Sequence, residues 1–275
     1  MPVQSTPRPW SRYVAIGDSF SEGLNDAYAA EPTRFYGWTD RLSVMLAGVA
    51  AGEGRTVSYA NLAIRGRLLH RIVTEQLDAA LALGPDLLTI SAGGNDLLRP
   101  GADPDALAAE LDEAVGRARD AGTDVVLMTS TDPRGAGLIQ RTGGMVALFA
   151  AHVWTIGSRR DCYVTDLFGL RSLMDARLWS EDRLHLTSDG HARVAAEVFH
   201  TLGHTPPPGW REPLAEAPAR ARSEVLREDV AWVRTHLAPW VHRRLTGRSS
   251  GDGITPKRPQ LVPIDPGQAL PPLSY

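Results

Sequence analysis

Between residues 12 and 203 the chain repeats one rhythm, a short β-rich apolar run followed by a longer stretch with helical spacing. The predicted β runs fall at Tyr13–Ile16, Thr56–Ala60, Asp86–Ser91, Asp124–Thr129 and Cys162–Asp166. The predicted helical stretches lie at about 36–50, 67–83, 103–121, 138–158 and 187–201. Alternation of this kind buries its apolar faces as a parallel sheet covered by helices on both sides. The runs DLLTIS and DVVLMTS are apolar almost throughout, as strands buried on both faces must be. The expectation is an α/β fold, a three-layer α/β/α sandwich around a doubly wound, flavodoxin-like parallel sheet of about five strands.

The rhythm stops near residue 204. Most of the chain's 20 prolines lie beyond it, starting with PPPGW at 206–210. This divides the chain into a domain of residues 1–204 and a Pro-rich C-terminal extension of residues 205–275. In the extension, Leu226, Val230, Val233, Leu237, Val241 and Leu245 recur at spacings of three and four, which predicts an amphipathic helix at about 222–245. Pro239 is expected to end one helix and open another. Trp232 and Trp240 would anchor this helix on the main domain, in a dimer contact, or beside the site. The residues that follow carry too much Pro and Gly for a packed element, so an irregular tail is expected.

Composition narrows the classes of function. A net charge of -3 gives no argument for nucleic acid or an anionic membrane as partner. The single Cys162 excludes an intrachain disulfide. No run of about 18 apolar residues suggests a membrane span. The stretch MPVQSTPRPWSRYV has prolines where a secretory signal needs an apolar core. The expected location is cytoplasmic.

Open α/β sheets bind ligands beyond the carboxyl ends of their strands, so polar residues just after each β run are the first candidates. After the first run stand Gly17, Asp18 and Ser19. After the second, NLAIRGR carries Asn61 and Gly66. After the third, AGGND carries Gly93, Gly94, Asn95 and Asp96, and beyond the fifth, EDRLHLTSDGH carries Asp182 and His185. A serine hydroxyl becomes a nucleophile when a base takes its proton and a third group orients that base. Asp182 and His185, three apart on a turn, set a carboxylate beside an imidazole. The backbone N–H groups of Ser19 and Gly66 and the Asn95 amide are candidate oxyanion donors, each worth about 10²–10³ in rate. Taken singly, these segments are also ordinary turns, His185 fits a core histidine between two leucines, and Thr187 or Ser188 is a good helix N-cap. Their order and convergence carry the catalytic reading.

That order resembles the SGNH, or GDSL-like, hydrolases. The four blocks stand here as IGDSFSEG (Ser19), NLAIRG (Gly66), GGND (Asn95) and DRLH (Asp182, His185), and the resemblance covers about residues 12–203. It implies that Ser19, Gly66 and Asn95 supply the oxyanion donors and that Asp182 and His185 complete the triad. It further implies a serine ester hydrolase acting through an acyl-enzyme on small or short-chain acyl esters, of carboxylesterase, deacetylase or lysophospholipase type. Phe20 stands where the family usually has leucine. The alternatives are an acyltransferase using the same triad and a non-catalytic binding protein on the same fold. The α/β-hydrolase pattern is absent, because position 21 is serine rather than the glycine of Gly-x-Ser-x-Gly. No phosphate-binding glycine motif follows a strand.

No cofactor or metal is expected, since His185 and His191, six apart without a Cys or Glu cluster, make no zinc pattern. His191, Asp189 and Cys162 are expected to be structural. Arg65, Arg67 and Arg134 are candidate substrate-binding residues for an anionic group, and Phe35, Tyr36 and Trp38 are candidates for an acyl pocket. The expected partner is a small-molecule ester, and the expected assembly a monomer or a homodimer through the C-terminal helix.

Overall fold

The computed structural model describes residues 8–28, 31–134, 137–216, 222–239 and 249–268. Trp240, Val241 and Leu245 of the expected amphipathic helix lie outside the described residues. The strands are β1 (Arg12–Gly17), β2 (Ala27–Tyr28), β3 (Glu31–Phe35), β4 (Ser58–Asn61), β5 (Leu87–Ser91), β6 (Asp124–Met128), β7 (Tyr163–Thr165) and β8 (Arg258–Pro263). The α-helices are α1 (Ser19–Glu22), α2 (Gly37–Gly52), α3 (Leu69–Ile72), α4 (Asp78–Ala82), α5 (Gly94–Leu97), α6 (Pro104–Asp120), α7 (Gly143–Arg159), α8 (Ser188–Thr201) and α9 (Arg222–Trp232). A π-helical turn, Val73–Leu77, joins α3 to α4, so the single stretch expected there is interrupted.

The main sheet has six strands in the order β7-β6-β5-β1-β4-β8. β1 runs parallel to β4 on one side and β5 on the other, and β6 and β7 continue parallel beyond β5. This is the doubly wound order expected from the alternation. The chain winds outward from β1 in both directions, which opens a crevice at the carboxyl end of β1.

Successive residues of β1 serve opposite layers, as the period of a strand requires. Tyr13 and Ala15 pack with Trp38 and Leu42 of α2 and with Val194 and Val198 of α8. Val14 and Ile16 pack with Leu69 and Ile72 of α3, Leu111 and Val115 of α6, and Phe149 and Val153 of α7. Burying each of these larger side chains contributes about 1.5–3 kcal/mol. The three-layer sandwich follows directly from that division. Among the described residues no helix is long and apolar enough to cross a membrane.

The extension departs from the sequence expectation at one place. Residues 258–263, expected to be irregular, form β8 and pair antiparallel with β4, aligning Ser58 with Pro263 and Tyr59 with Val262. An edge strand tolerates proline because one side of its ladder faces solvent. Its residues are mostly exposed or half-buried, without strict alternation, so no strand period marks it in the sequence. In the other part of the extension α9 passes into a π-helical turn, Val233–Leu237, and Pro239 is the last described residue of the helical segment.

Candidate active site

β1 ends at Gly17, where the Gln76 side chain completes the backbone pairing. The Gly17 N–H donates to Gln76 Oε1 at 2.8 Å, and Gln76 Nε2 donates to the Gly17 carbonyl at 2.9 Å. The strand can therefore stop in the interior without orphaned polar groups. Asp18 then caps α1, its Oδ1 accepting the Phe20 N–H at 3.0 Å. Ser19 thus falls at the first position of α1, at the crevice and only 9% exposed.

The loop before α8 brings His185 to that serine. His185 Nε2 lies 2.9 Å from Ser19 Oγ, and His185 Nδ1 lies 2.7 Å from Asp182 Oδ2. Asp182 also orders its own turn, because Oδ1 accepts the N–H groups of Leu184 and His185, each at 3.0 Å. Between them Arg183 adopts a left-handed φ of 57°. Burial alone would raise the Asp182 carboxyl. The hydrogen bond and charge of His185, with the two amides, outweigh burial and hold the carboxyl well below its usual range. An ionised Asp182 accepts from His185 Nδ1–H, which leaves Nε2 free to accept from the Ser19 hydroxyl.

The expected oxyanion residues meet the same crevice. Gly66 has a φ of +72°, and a Cβ there would stand 2.5 Å from Ser249 Oγ, so any other residue would be strained. Asn95, in α5, donates from Nδ2 to Asp18 Oδ2 at 2.9 Å and to the Arg67 carbonyl at 3.1 Å. Its amide is therefore held between the loops of the first and second blocks. Asp96 adds a further link, accepting the Leu69 N–H at 3.0 Å.

The three candidate substrate-binding arginines each face a carboxylate of the chain. Arg65 Nε donates to Glu22 Oε1 at 3.0 Å, Arg67 Nε pairs with Glu75 at 2.9 Å, and Arg134 Nε donates to Asp132 Oδ2 at 2.7 Å. Of the aromatic candidates for an acyl pocket, Trp38 and Tyr36 are buried, Trp38 in the core, and Phe35 lies under the Arg65 guanidinium. His191 is buried on α8, where desolvation pushes its imidazole down to about 3. Cys162 is half-buried, and burial pushes its thiol up to about 11. Thr187 caps α8 by accepting the Gly190 N–H at 3.4 Å.

Two contacts at the triad carry no sequence signature. Asn25 Nδ2 donates to Asp182 Oδ2 at 2.8 Å from a left-handed backbone position with a φ of 73°. Trp232 of α9 donates from Nε1 to the Asp182 carbonyl at 2.9 Å, and the Arg183 guanidinium lies over its ring at 5.2 Å. Arg183 also pairs with Asp229 at 2.6 Å. The sequence marks Trp232 as an anchor of the helix but not the group it meets.

Known proteins share this fold. No curated protein sequence matches the chain. Among solved structures, TesA is similar at 24% identity and a TM-score of 0.56, covering 70% of this chain and 98% of TesA. A variant of Axe2, an acetyl xylan esterase from Geobacillus stearothermophilus, is similar at 17% identity and a TM-score of 0.61, covering 72% and 97%. The esterase EstA from Pseudoalteromonas sp., inhibited by monoethylphosphonate, is similar at 19% identity and a TM-score of 0.55, covering 70% and 96%. These likenesses concern the fold. The model of the GDSL-like lipase/acylhydrolase family matches residues 15–193, from the strand that delivers Ser19 into the helix that follows His185. Through that span the chain belongs to the GDSL-like lipase/acylhydrolase family and is an ester-hydrolysing enzyme.

Proposed function

We propose that the enzyme hydrolyses small neutral acyl esters through a covalent intermediate on Ser19. The observation that carries this reading is the line from Ser19 Oγ to His185 Nε2 at 2.9 Å and from His185 Nδ1 to Asp182 at 2.7 Å. His185 takes the Ser19 proton as Oγ attacks the ester carbonyl, and Asp182 stabilises the imidazolium. The N–H groups of Ser19 and Gly66 receive the oxyanion, and Asn95 joins them when one of its two Nδ2 hydrogens leaves the Arg67 carbonyl, at 3.1 Å the longer of its two bonds. His185 then gives its proton to the departing alkoxide. Water repeats the sequence on the acyl-enzyme and releases the acid.

Two observations support the substrate class. Arg65, Arg67 and Arg134 are matched by Glu22, Glu75 and Asp132, which favours a neutral ester over an anionic one. The Axe2 relative is an acetyl xylan esterase, which favours a short acyl group. The test is a p-nitrophenyl ester series from acetate to decanoate with wild type and Ser19→Ala. The shortest esters are expected to turn over fastest, and Ser19→Ala to lose on the order of 10⁴–10⁶ in kcat. Wild-type turnover by Ser19→Ala would sink the mechanism, and a preference for the longest chains would sink the substrate class.

A further inference from the structure

The family match ends at residue 193, yet residues 249–257 of the extension touch the loops of the first two blocks. Ser249 Oγ donates to the Gly66 carbonyl at 3.3 Å. Gly251 packs so closely that a methyl there would collide with the Arg65 carbonyl oxygen and stand 2.8 Å from Ile64 Cγ2. Asp252 Oδ1 lies 3.7 Å from Arg67 Nη1, while its Oδ2 accepts the Ser249 N–H at 2.9 Å. The extension therefore meets Gly66 and the residue on either side of it.

Lys257 ends this segment behind the nucleophile. Its ammonium donates to the carbonyl oxygens of Glu22, Tyr36 and Phe35 at 2.6, 2.9 and 3.1 Å, and to Asp40 Oδ2 at 2.5 Å. Glu22 is the last residue of α1, which begins at Ser19. The Glu22 carboxylate in turn accepts the Arg65 N–H at 2.8 Å and Arg65 Nε at 3.0 Å. One hydrogen-bonded path thus runs from Lys257 through Glu22 to Arg65, the residue before Gly66. A buried ammonium is tolerated only while acceptors surround it, so moving α1 or the 35–36 turn breaks bonds to a buried charge.

We propose that residues 249–257 form a clamp that holds α1 and the Gly66 peptide in register for oxyanion binding, with Lys257 as the positioning residue that locks it. The proposal rests on the oxyanion role of Gly66 proposed above. The clamp acts on donor geometry without touching substrate. Its loss therefore weakens the tetrahedral state more than the ground state.

Lys257→Met, Gly251→Ala and Asp252→Ala in the full chain test this. The measurements are kcat and KM on p-nitrophenyl acetate, the thermal midpoint, and the affinity of a phenylboronic acid, which forms a tetrahedral adduct with the nucleophilic serine. In Lys257→Met and Gly251→Ala kcat is expected to fall about ten- to a hundredfold, and in Asp252→Ala about threefold, with KM within about twofold. Boronate affinity should weaken in proportion to kcat/KM. Unchanged kcat per folded enzyme and unchanged boronate affinity, with only a lower thermal midpoint, overturn the clamp. The Asp252 side chain is 57% exposed, so its variant decides the matter alone if the buried variants do not fold. Absence of hydrolysis and of boronate binding in wild type would instead overturn the proposed function.

Discussion

Asp18 stands immediately before Ser19, and burial pushes its carboxyl up from 3.8 to about 6, with Asp96 and Glu22 adding to the rise and the Phe20 amide and His185 opposing it. A carboxyl that binds its proton more tightly when folded favours folding at low pH. That contribution is lost as pH rises from 3.8 through about 6, and above this the buried charge is a constant cost. Asp18→Asn removes the charge but replaces an acceptor of Asn95 Nδ2 with an amide that offers one acceptor where two are used. We therefore predict that the variant gains on the order of 1 kcal/mol relative to wild type at pH 8, after about 1 kcal/mol of lost hydrogen bonding, and little at pH 4. Its kcat should fall about tenfold because Asn95 loses its fixed orientation. Urea melts at the two pH values, with kcat at pH 8, check this. A stability difference that does not grow with pH would refute the assignment of Asp18. Only the contributions of Phe20 and Glu22 lie in the residue's own neighbourhood. Gly-Asp-Ser announces a loop, while the charge balance of Asp18 depends also on His185 and Asp96, brought near by the fold.

At the scale of elements, the first three motif blocks were legible because each follows a largely buried strand whose sequence differs from its surroundings, and the fourth because its Asp-x-x-His spacing completes their order. The contacts between blocks and extension were not legible. Lys257 is satisfied mostly by backbone carbonyls, which any sequence supplies, and β8 is a largely exposed edge without strand periodicity. The same holds for α9 on the triad loop, where a tryptophan at helical spacing reads as a packing residue. Its Nε1–H nevertheless braces the peptide of Asp182, beside a left-handed Arg183 that is costly to hold. Trp232→Phe keeps an aromatic ring for Arg183 and removes only the donor, with a net loss of about 1 kcal/mol. The expected result is a roughly fivefold lower kcat with KM within about twofold, since the loop carries His185 rather than substrate-binding groups. A variant with wild-type kcat would show that α9 merely packs on the loop.

At the scale of the molecule, buried charges decide whether the two parts of the chain are separable. Arg193 of α8, fully buried, donates to the carbonyls of Gly209 at 3.3 Å, Trp210 at 2.9 Å and Glu212 at 2.5 Å. Glu197, one turn further along and 5% exposed, accepts from Trp210 Nε1 at 2.7 Å and pairs with Arg211 at 2.6 Å. On the other side of α2, Asp40 is raised by burial and opposed chiefly by Lys257. All these partners lie beyond residue 204, where the composition changes and a boundary is easiest to draw. Hydropathy and proline content mark that boundary because they register local composition, whereas the cost of cutting there is electrostatic and non-local. Removing one partner of a buried pair costs up to about 3–5 kcal/mol, so the loss of all three centres is comparable to the 5–15 kcal/mol stability of an ordinary domain. We therefore predict that residues 1–204, despite holding every proposed triad and oxyanion residue, do not fold cooperatively alone. The chain expressed without residues 205–275 should show no sigmoidal thermal transition and no p-nitrophenyl acetate turnover. The full chain should melt in one transition monitored at both near- and far-ultraviolet wavelengths. A cooperative melt of the shortened chain within a few degrees of wild type would mean that solvent or repacking satisfies Arg193, Glu197 and Asp40 without the extension. The proline-rich segment would then be an addition to a complete domain, whereas the partnership of these charges makes it the remaining part of one.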